Sequence, residues 1–201
     1  MDVNFIFSII ILIMSVVVHE VSHGYAADTL GDPTPRLQGR LTLNPLKHLD
    51  LFGSVLFPAL SYMIGGIIFG WAKPVMINPY NLRAKKWGEA IVAFAGPLSN
   101  IILAVIFSML IRFADPLGLS AAFVTFSMTI VVMNIVLAIF NLVPIPPLDG
   151  SKILFAILPQ RFMSIRFKLE QYGFILVLVF IVFMGQLLNP VINFFLTILV
   201  G

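Results

Sequence analysis

Five long apolar stretches divide the chain, at roughly 3–27, 51–71, 90–111, 121–143 and 172–200. Each is long enough to cross a bilayer, which takes about 20 residues. Charged residues collect between them, and two of these polar stretches carry shorter patterns. In Arg36–Leu43, Leu37, Leu41 and Leu43 fall on one side of a period-two alternation, which predicts a short strand. Ala72–Ile77 is a second candidate, and the two are expected to pair as a small sheet at the membrane surface, its open edge able to take up an extended peptide. The 51–71 stretch is broken by Pro58 and by Gly65-Gly66 and is expected to dip into the membrane and return. Ala95-Gly96-Pro97 reads as a helix start. The 121–143 span runs into Asn141–Gly150, where Pro144, Pro146 and Pro147 remove backbone donors and forbid regular helix. Unwound backbone at membrane depth is tolerated where it lines a cavity or a site. A basic loop at 152–168 leads to a last apolar stretch with an expected kink at Asn189-Pro190. The expected fold is therefore an all-α polytopic membrane protein of one domain, 1–201: a helix bundle with a small surface β-hairpin and a re-entrant segment.

Composition supports the class. Sixty percent of the residues are hydrophobic, 10% are charged and the mean hydropathy is +1.05, well outside the range of soluble domains. The net charge of +3 lies in the loops and reports topology rather than nucleic-acid binding. There is no cysteine, which excludes disulfides, thiolate ligands and a cysteine nucleophile. The first apolar run has no basic leader and no small-residue cleavage site, so it is expected to remain in the mature chain.

Against this background the polar interruption of the first span stands out. His19-Glu20-Val21-Ser22-His23 is an H-E-x-x-H pattern. Helical residues four apart lie one turn above each other, so both imidazoles can face one Zn²⁺, with Glu20 beside them as candidate base. Ionisable groups in hydrocarbon cost several kcal/mol and mark function. A catalytic zinc usually has three protein ligands and a water, and Asp149, in the irregular segment after the 121–143 span, is the best candidate for the third. Its competing reading is an N-cap for the helix from Ser151. A polar cluster satisfied by neighbouring helices is the competing reading of the H-E-x-x-H itself.

Together these motifs resemble the site-2 protease-like intramembrane zinc metalloproteases. The likeness rests on His19–His23, Ala95-Gly96-Pro97-Leu98-Ser99-Asn100, Phe140-Asn141-Leu142-Val143-Pro144 and Pro147-Leu148-Asp149-Gly150, in that order along nearly the whole chain. It implies one Zn²⁺ held by His19, His23 and Asp149, with Glu20 as catalytic acid/base. The implied substrates are membrane-spanning proteins cut within or near the bilayer. It also suggests that Asn141 positions the substrate backbone. His48 lies in a stretch similar to one in compact members of the family, and its expected surface position points to an interfacial or gating role toward substrate. Asn100 reads as an interhelical hydrogen bonder. Neither a PDZ nor a CBS insertion is seen. The alternative function is a metal transporter or zinc sensor, which has no need of Glu20.

Topology follows from parity. If 51–71 re-enters, His19, His23 and Asp149 lie toward one face; if it crosses, they lie toward opposite faces. The re-entrant arrangement also gathers eleven of the twelve Lys and Arg on one face, leaving Arg112, whereas a crossing divides them eight to four. The expected protein has an extracytoplasmic N-terminus and its site in the cytoplasmic half of a cell membrane.

Overall fold

The computed structural model describes residues 3–48 and 73–201. Six α-helices occur among them: α1 (Val3–Thr29), the single turn α2 (Thr34–Leu37), α3 (Lys85–Arg112), α4 (Ala121–Asn141), α5 (Asp149–Ile157) and α6 (Met163–Val200). Of these, α1, α3 and α4 are long and apolar enough to span a membrane. The two halves of α6 meet at 67° between Phe183 and Leu188. That bend lies one turn before Pro190, where the proline ring disturbs the helix. The 51–71 stretch lies outside the described residues.

At the centre stands α3, which packs on α1, α4, α5 and α6. Lipid tails are as apolar as leucine, so helices associate here through close van der Waals fit and internal hydrogen bonds. Small residues supply the fit: Ala27, Ala93 and Ala104 are almost wholly buried. Ala104 packs with Val131 and Ile135 of α4, and Ile192 and Leu196 of α6 close over them. The outer surface of α1 is Phe5, Ile6, Ile9 and Ile10, all exposed, as a lipid-facing stripe requires. Pro97, expected to open a helix, lies inside α3 instead. Neighbouring helices re-satisfy a membrane helix around proline, so the ladder continues on either side of it.

No β-strand occurs among the described residues, so the expected hairpin is not formed. In its first half the backbone donors bond locally: Leu37 N–H to Pro33, Gln38 to Thr34, Gly39 to Arg36 and Arg40 to Pro35. Pro35 starts a helical turn and Gly39 sits at φ +64°, so the chain curls where an extended ladder was expected. The second half, 73–77, has no regular secondary structure, with Val75 buried between exposed Pro74 and Met76. Its donors have other acceptors: Lys73 N–H bonds to the His48 carbonyl at 2.9 Å, and Val75 N–H to Glu20 Oε2 at 2.9 Å.

The chain leaves α1 and enters α3 through one polar knot. Asp32 is fully buried and accepts hydrogen bonds from Thr34 N–H, Thr34 Oγ1, Asn81 Nδ2 and Asn78 N–H at 2.5–3.1 Å. Arg83 N–H donates to the Leu30 carbonyl at 3.0 Å. Burial works against the Asp32 carboxylate, but those four donors outweigh it and hold its pKa below the usual carboxylate value.

Candidate metal centre

The α1 register sets His19 and His23 one above the other, edge to face, with ring centroids 4.6 Å apart. Both are buried, at 6% exposure. The third group arrives through the proline turn: after α4 ends at Asn141, the 144–147 turn reverses the chain so that α5 starts beside α1. Gly150 makes the approach possible, because a Cβ there would collide with the Leu142 carbonyl. Asp149, one residue earlier, points inward. Its Oδ2 lies 3.1 Å from His19 Nε2 and 3.1 Å from His23 Nε2, and the two Nε2 atoms are 3.0 Å apart. The N-cap of α5 is Leu148 and no side chain caps it, so the Asp149 carboxylate serves the histidines rather than the helix end.

The donor set fits a small divalent cation. Tetrahedral bonds of about 2.0–2.1 Å put ligand atoms about 3.3 Å apart, close to the spacing of these three atoms. They form the one group of three metal-competent side chains among the described residues. Each imidazole also bonds through its far nitrogen: His19 Nδ1 to Asn100 Oδ1 at 2.6 Å and His23 Nδ1 to the Val92 carbonyl at 2.7 Å. Both acceptors lie on α3, and donation to them leaves each Nε2 lone pair facing inward. Gly96 of α3 lies directly against the pair. A Cβ at this position would stand 2.5 Å from His23 Nε2 and 2.6 Å from His19 Nε2.

Glu20, half-buried, accepts from Val75 N–H through Oε2. Lys152 Nζ lies 3.8 Å from Asp149 Oδ1, the oxygen turned away from the histidines. Beside it a cavity of ≈ 160 Å³, lined by Val75, Glu89, Val92 and Lys152 among others, opens between the 73–79 segment and α5. A larger one of ≈ 570 Å³ continues past Pro146 and Ser151 to α6.

Of the remaining sequence candidates, Asn141 is at the end of α4, half-buried, with Nδ2 donating to the Leu137 carbonyl at 3.0 Å. Its Oδ1 has no partner among the described residues. His48 is not at the surface: it is 1% exposed, with Nε2 donating to the Thr42 carbonyl at 2.9 Å. Asn100 does bond between helices, as read from the sequence, and one of its partners is a histidine of the cluster. Sequence reasoning passed over Ser15 and Asn134, both buried and both bonded into that contact. The available signal was position: Ser15 is one helical turn before His19, and Asn134 is two turns before Asn141 in the otherwise apolar run 130–140.

Comparison with known proteins places this arrangement. The model of "Peptidase family M50" matches residues 7–124 and 116–185. The chain is 40% identical over 193 residues to the "Putative zinc metalloprotease YwhC" of Bacillus subtilis, covering 92% of this chain and 85% of that protein. It is 33% identical over 171 residues to the "Putative zinc metalloprotease Rip2" of Mycolicibacterium smegmatis, covering 85% of this chain and 64% of that one. Against the "Zinc metalloprotease MJ0392" of Methanocaldococcus jannaschii, identity is 27% over 153 residues, covering 76% of this chain and 34% of that protein. No solved structure matches significantly.

Proposed function

The chain belongs to peptidase family M50 and is an intramembrane zinc metalloprotease, and from that premise we propose how its residues divide the work. His19, His23 and Asp149 hold the zinc, and Glu20 is the general base and acid. The reading is carried by one observation: residues 130 positions apart in sequence bring three ligand atoms to within 3.0–3.1 Å of one another in a buried site. The transporter alternative is not favoured, because it leaves the family and the placement of Glu20 without account.

A zinc ion held by these atoms supplies a Lewis acid for the scissile carbonyl and a water whose pKa falls toward about 7. The protein's own groups do the rest. With Oε2 anchored by Val75 N–H, Glu20 is held in one orientation and has Oε1 to take the proton of the attacking water and return it to the leaving amine. Asn141, its Oδ1 without a partner among the described residues, offers that oxygen to the N–H groups of an unwound substrate. His48 acts at one remove: its carbonyl holds Lys73, and so sets the 73–77 segment that carries Val75. The adjoining cavities, both lined by Lys152, give water and an extended peptide room beside the site. The substrates of this reading are membrane-spanning proteins cut within or near their spans.

In the same proposal the N-terminus is extracytoplasmic, the zinc lies in the cytoplasmic half of the cell membrane, and the end of α1 and the start of α3 lie on one face. Support comes from the bond between Arg83 and Leu30. It joins the end of α1 to the start of α3 on one face, which requires an even number of crossings between them. Reporter fusions after Lys47 and Lys86 should therefore read the same face; opposite faces would sink this topology.

The test of the chemistry pairs metal content with cleavage of single-span membrane proteins. Glu20→Gln should keep near-stoichiometric zinc and lose about 10²- to 10⁴-fold in turnover. Asp149→Ala should lose both. Turnover retained in Glu20→Gln would remove Glu20 from the reaction.

A further inference from the structure

The two histidines are held differently. His23 donates to a main-chain carbonyl, which no substitution can remove, whereas His19 depends on side chains. Asn100 Oδ1 lies 2.6 Å from His19 Nδ1. Asn100 Nδ2 faces the Ser15 carbonyl at 3.3 Å and Asn134 Oδ1 at 2.8 Å. Asn134 Nδ2 in turn faces Ser15 Oγ at 2.9 Å and the Ile130 carbonyl at 2.9 Å. Ser15, Asn100 and Asn134 are at most 4% exposed.

An amide can be turned end for end, so its orientation must come from its partners. Here two partners leave no choice. Ser15 and Ile130 present main-chain carbonyls, which only accept, so the NH₂ groups of Asn100 and Asn134 must face them. Asn134 Oδ1 is then an acceptor for the second Asn100 hydrogen. Asn100 Oδ1 is left facing His19, and an acceptor there requires the proton on Nδ1. Both amide nitrogens use both hydrogens, and both amide oxygens accept one bond. Neither amide is left with an unpaired group, which matters because a half-satisfied buried network is worse than an apolar one.

We propose that Ser15, Asn100 and Asn134 form a three-helix relay that fixes the tautomer and ring orientation of His19, so that its Nε2 lone pair is aimed at the zinc before the metal arrives. This rests on the assignment of His19 as a ligand. Asn100 and Asn134 are positioning residues; the Asn134 hydrogen bonds go to Asn100, Ser15 and Ile130, not to the histidines or Asp149. Without the relay, His19 can protonate Nε2 and turn, and zinc must work against that equilibrium.

The test measures zinc affinity of the full chain in detergent by chelator competition, alongside thermal unfolding. Groups that orient a metal-bound histidine typically govern affinity by about 10–100-fold. Asn100→Leu should weaken zinc by that factor, and Asn134→Leu by a smaller but clear factor although it is one residue removed. The double variant should be no weaker than Asn100→Leu alone, since coupled residues do not add. Ser127→Ala, a buried α4 residue outside the relay, should bind zinc as wild type does. The chain has three histidines, so ¹⁵N-histidine labelling reads the ring directly: in the zinc-loaded protein the His19 Nδ1–H resonance should move in Asn100→Leu while that of His23 stays. Should the leucine variants fail to fold, Ser15→Ala, which removes one acceptor, carries the same two readouts. Folded variants with wild-type affinity and an unmoved His19 resonance would overturn the relay, as would purely additive losses. A wild-type protein that takes up no zinc would instead overturn the ligand assignment beneath it.

Discussion

Gly96→Ala adds one methyl group at the centre of the site, and its effect can be worked from distances. The new Cβ would stand 2.5 Å from His23 Nε2 and 2.6 Å from His19 Cε1 and Nε2, whereas ordinary contact begins at 3.4 Å. Something must move by about 0.9 Å, against a tolerance of about 0.2 Å for metal–ligand bonds. Neither imidazole has slack, because His19 is tied to Asn100 and His23 to the Val92 carbonyl. The alternative is to push α3 away from α1, and overpacking of this kind costs about 1–3 kcal/mol. The substitution should therefore weaken zinc by at least about tenfold, in line with other losses of ligand orientation, and lower thermal stability of the zinc-free protein. Chelator competition measures the first and unfolding in the presence of chelator the second. Gly118→Ala is the control for a bare glycine effect away from the site: nothing lies within 4 Å of its added Cβ, and its φ of +63° predicts loss of stability alone. Wild-type zinc affinity in a folded Gly96→Ala protein would refute the reasoning, since the two Nε2 atoms crowded by that methyl could not then both be ligands.

Two further outcomes follow from other parts of the fold. Asp32→Asn replaces an acceptor with an NH₂ facing the Asn78 N–H, and a buried unsatisfied group of this kind costs about 1–3 kcal/mol. The wild-type contribution of Asp32 has a defined pH limb. Its folded pKa is lowered, so the stabilisation is complete above the unfolded value of about 3.9 and is lost as pH falls through the lower folded value. Stability measured from pH 6 downward should show that limb in wild type and lack it in Asp32→Asn; identical profiles would exclude the carboxylate as its source. At the other face Arg112 donates to the Ile198 and Leu199 carbonyls at 2.6 and 2.9 Å, meeting the unpaired end of α6 with a positive charge. Arg112→Ala should cost about 0.3–1 kcal/mol locally and speed amide exchange at the end of α6, a result that unchanged exchange would contradict.

How much of this was legible beforehand depended on the range of the interaction involved. The spans at 3–27, 90–111 and 121–143 follow from apolar length, because hydrocarbon admits only backbone that satisfies itself. The pairing of His19 with His23 follows from helical spacing, and Asp149 from an acidic residue after a proline-broken segment. The surface hairpin was misread because alternation reports which side chains are buried, not where the backbone N–H groups go. Val75 is buried between two exposed neighbours as alternation predicts, yet its N–H bonds to Glu20, 55 residues away. His48 was misplaced for a related reason: a polar residue in a polar loop reads as exposed until the loop folds over it.

The sequence by itself determined the solvent of this protein, its crossing helices, its family and the chemical types at the metal centre, because each is written in composition or in spacing shorter than a few turns. Only the tertiary structure decided that Asp149 shares a site with two histidines of α1, that Gly96 leaves room for their rings, and that Ser15, Asn100 and Asn134 orient one of them. Those contacts join positions 34 to 130 residues apart, and no local pattern carries them. They exist because helix packing brings small and polar positions of four helices together, where a buried donor must find an acceptor.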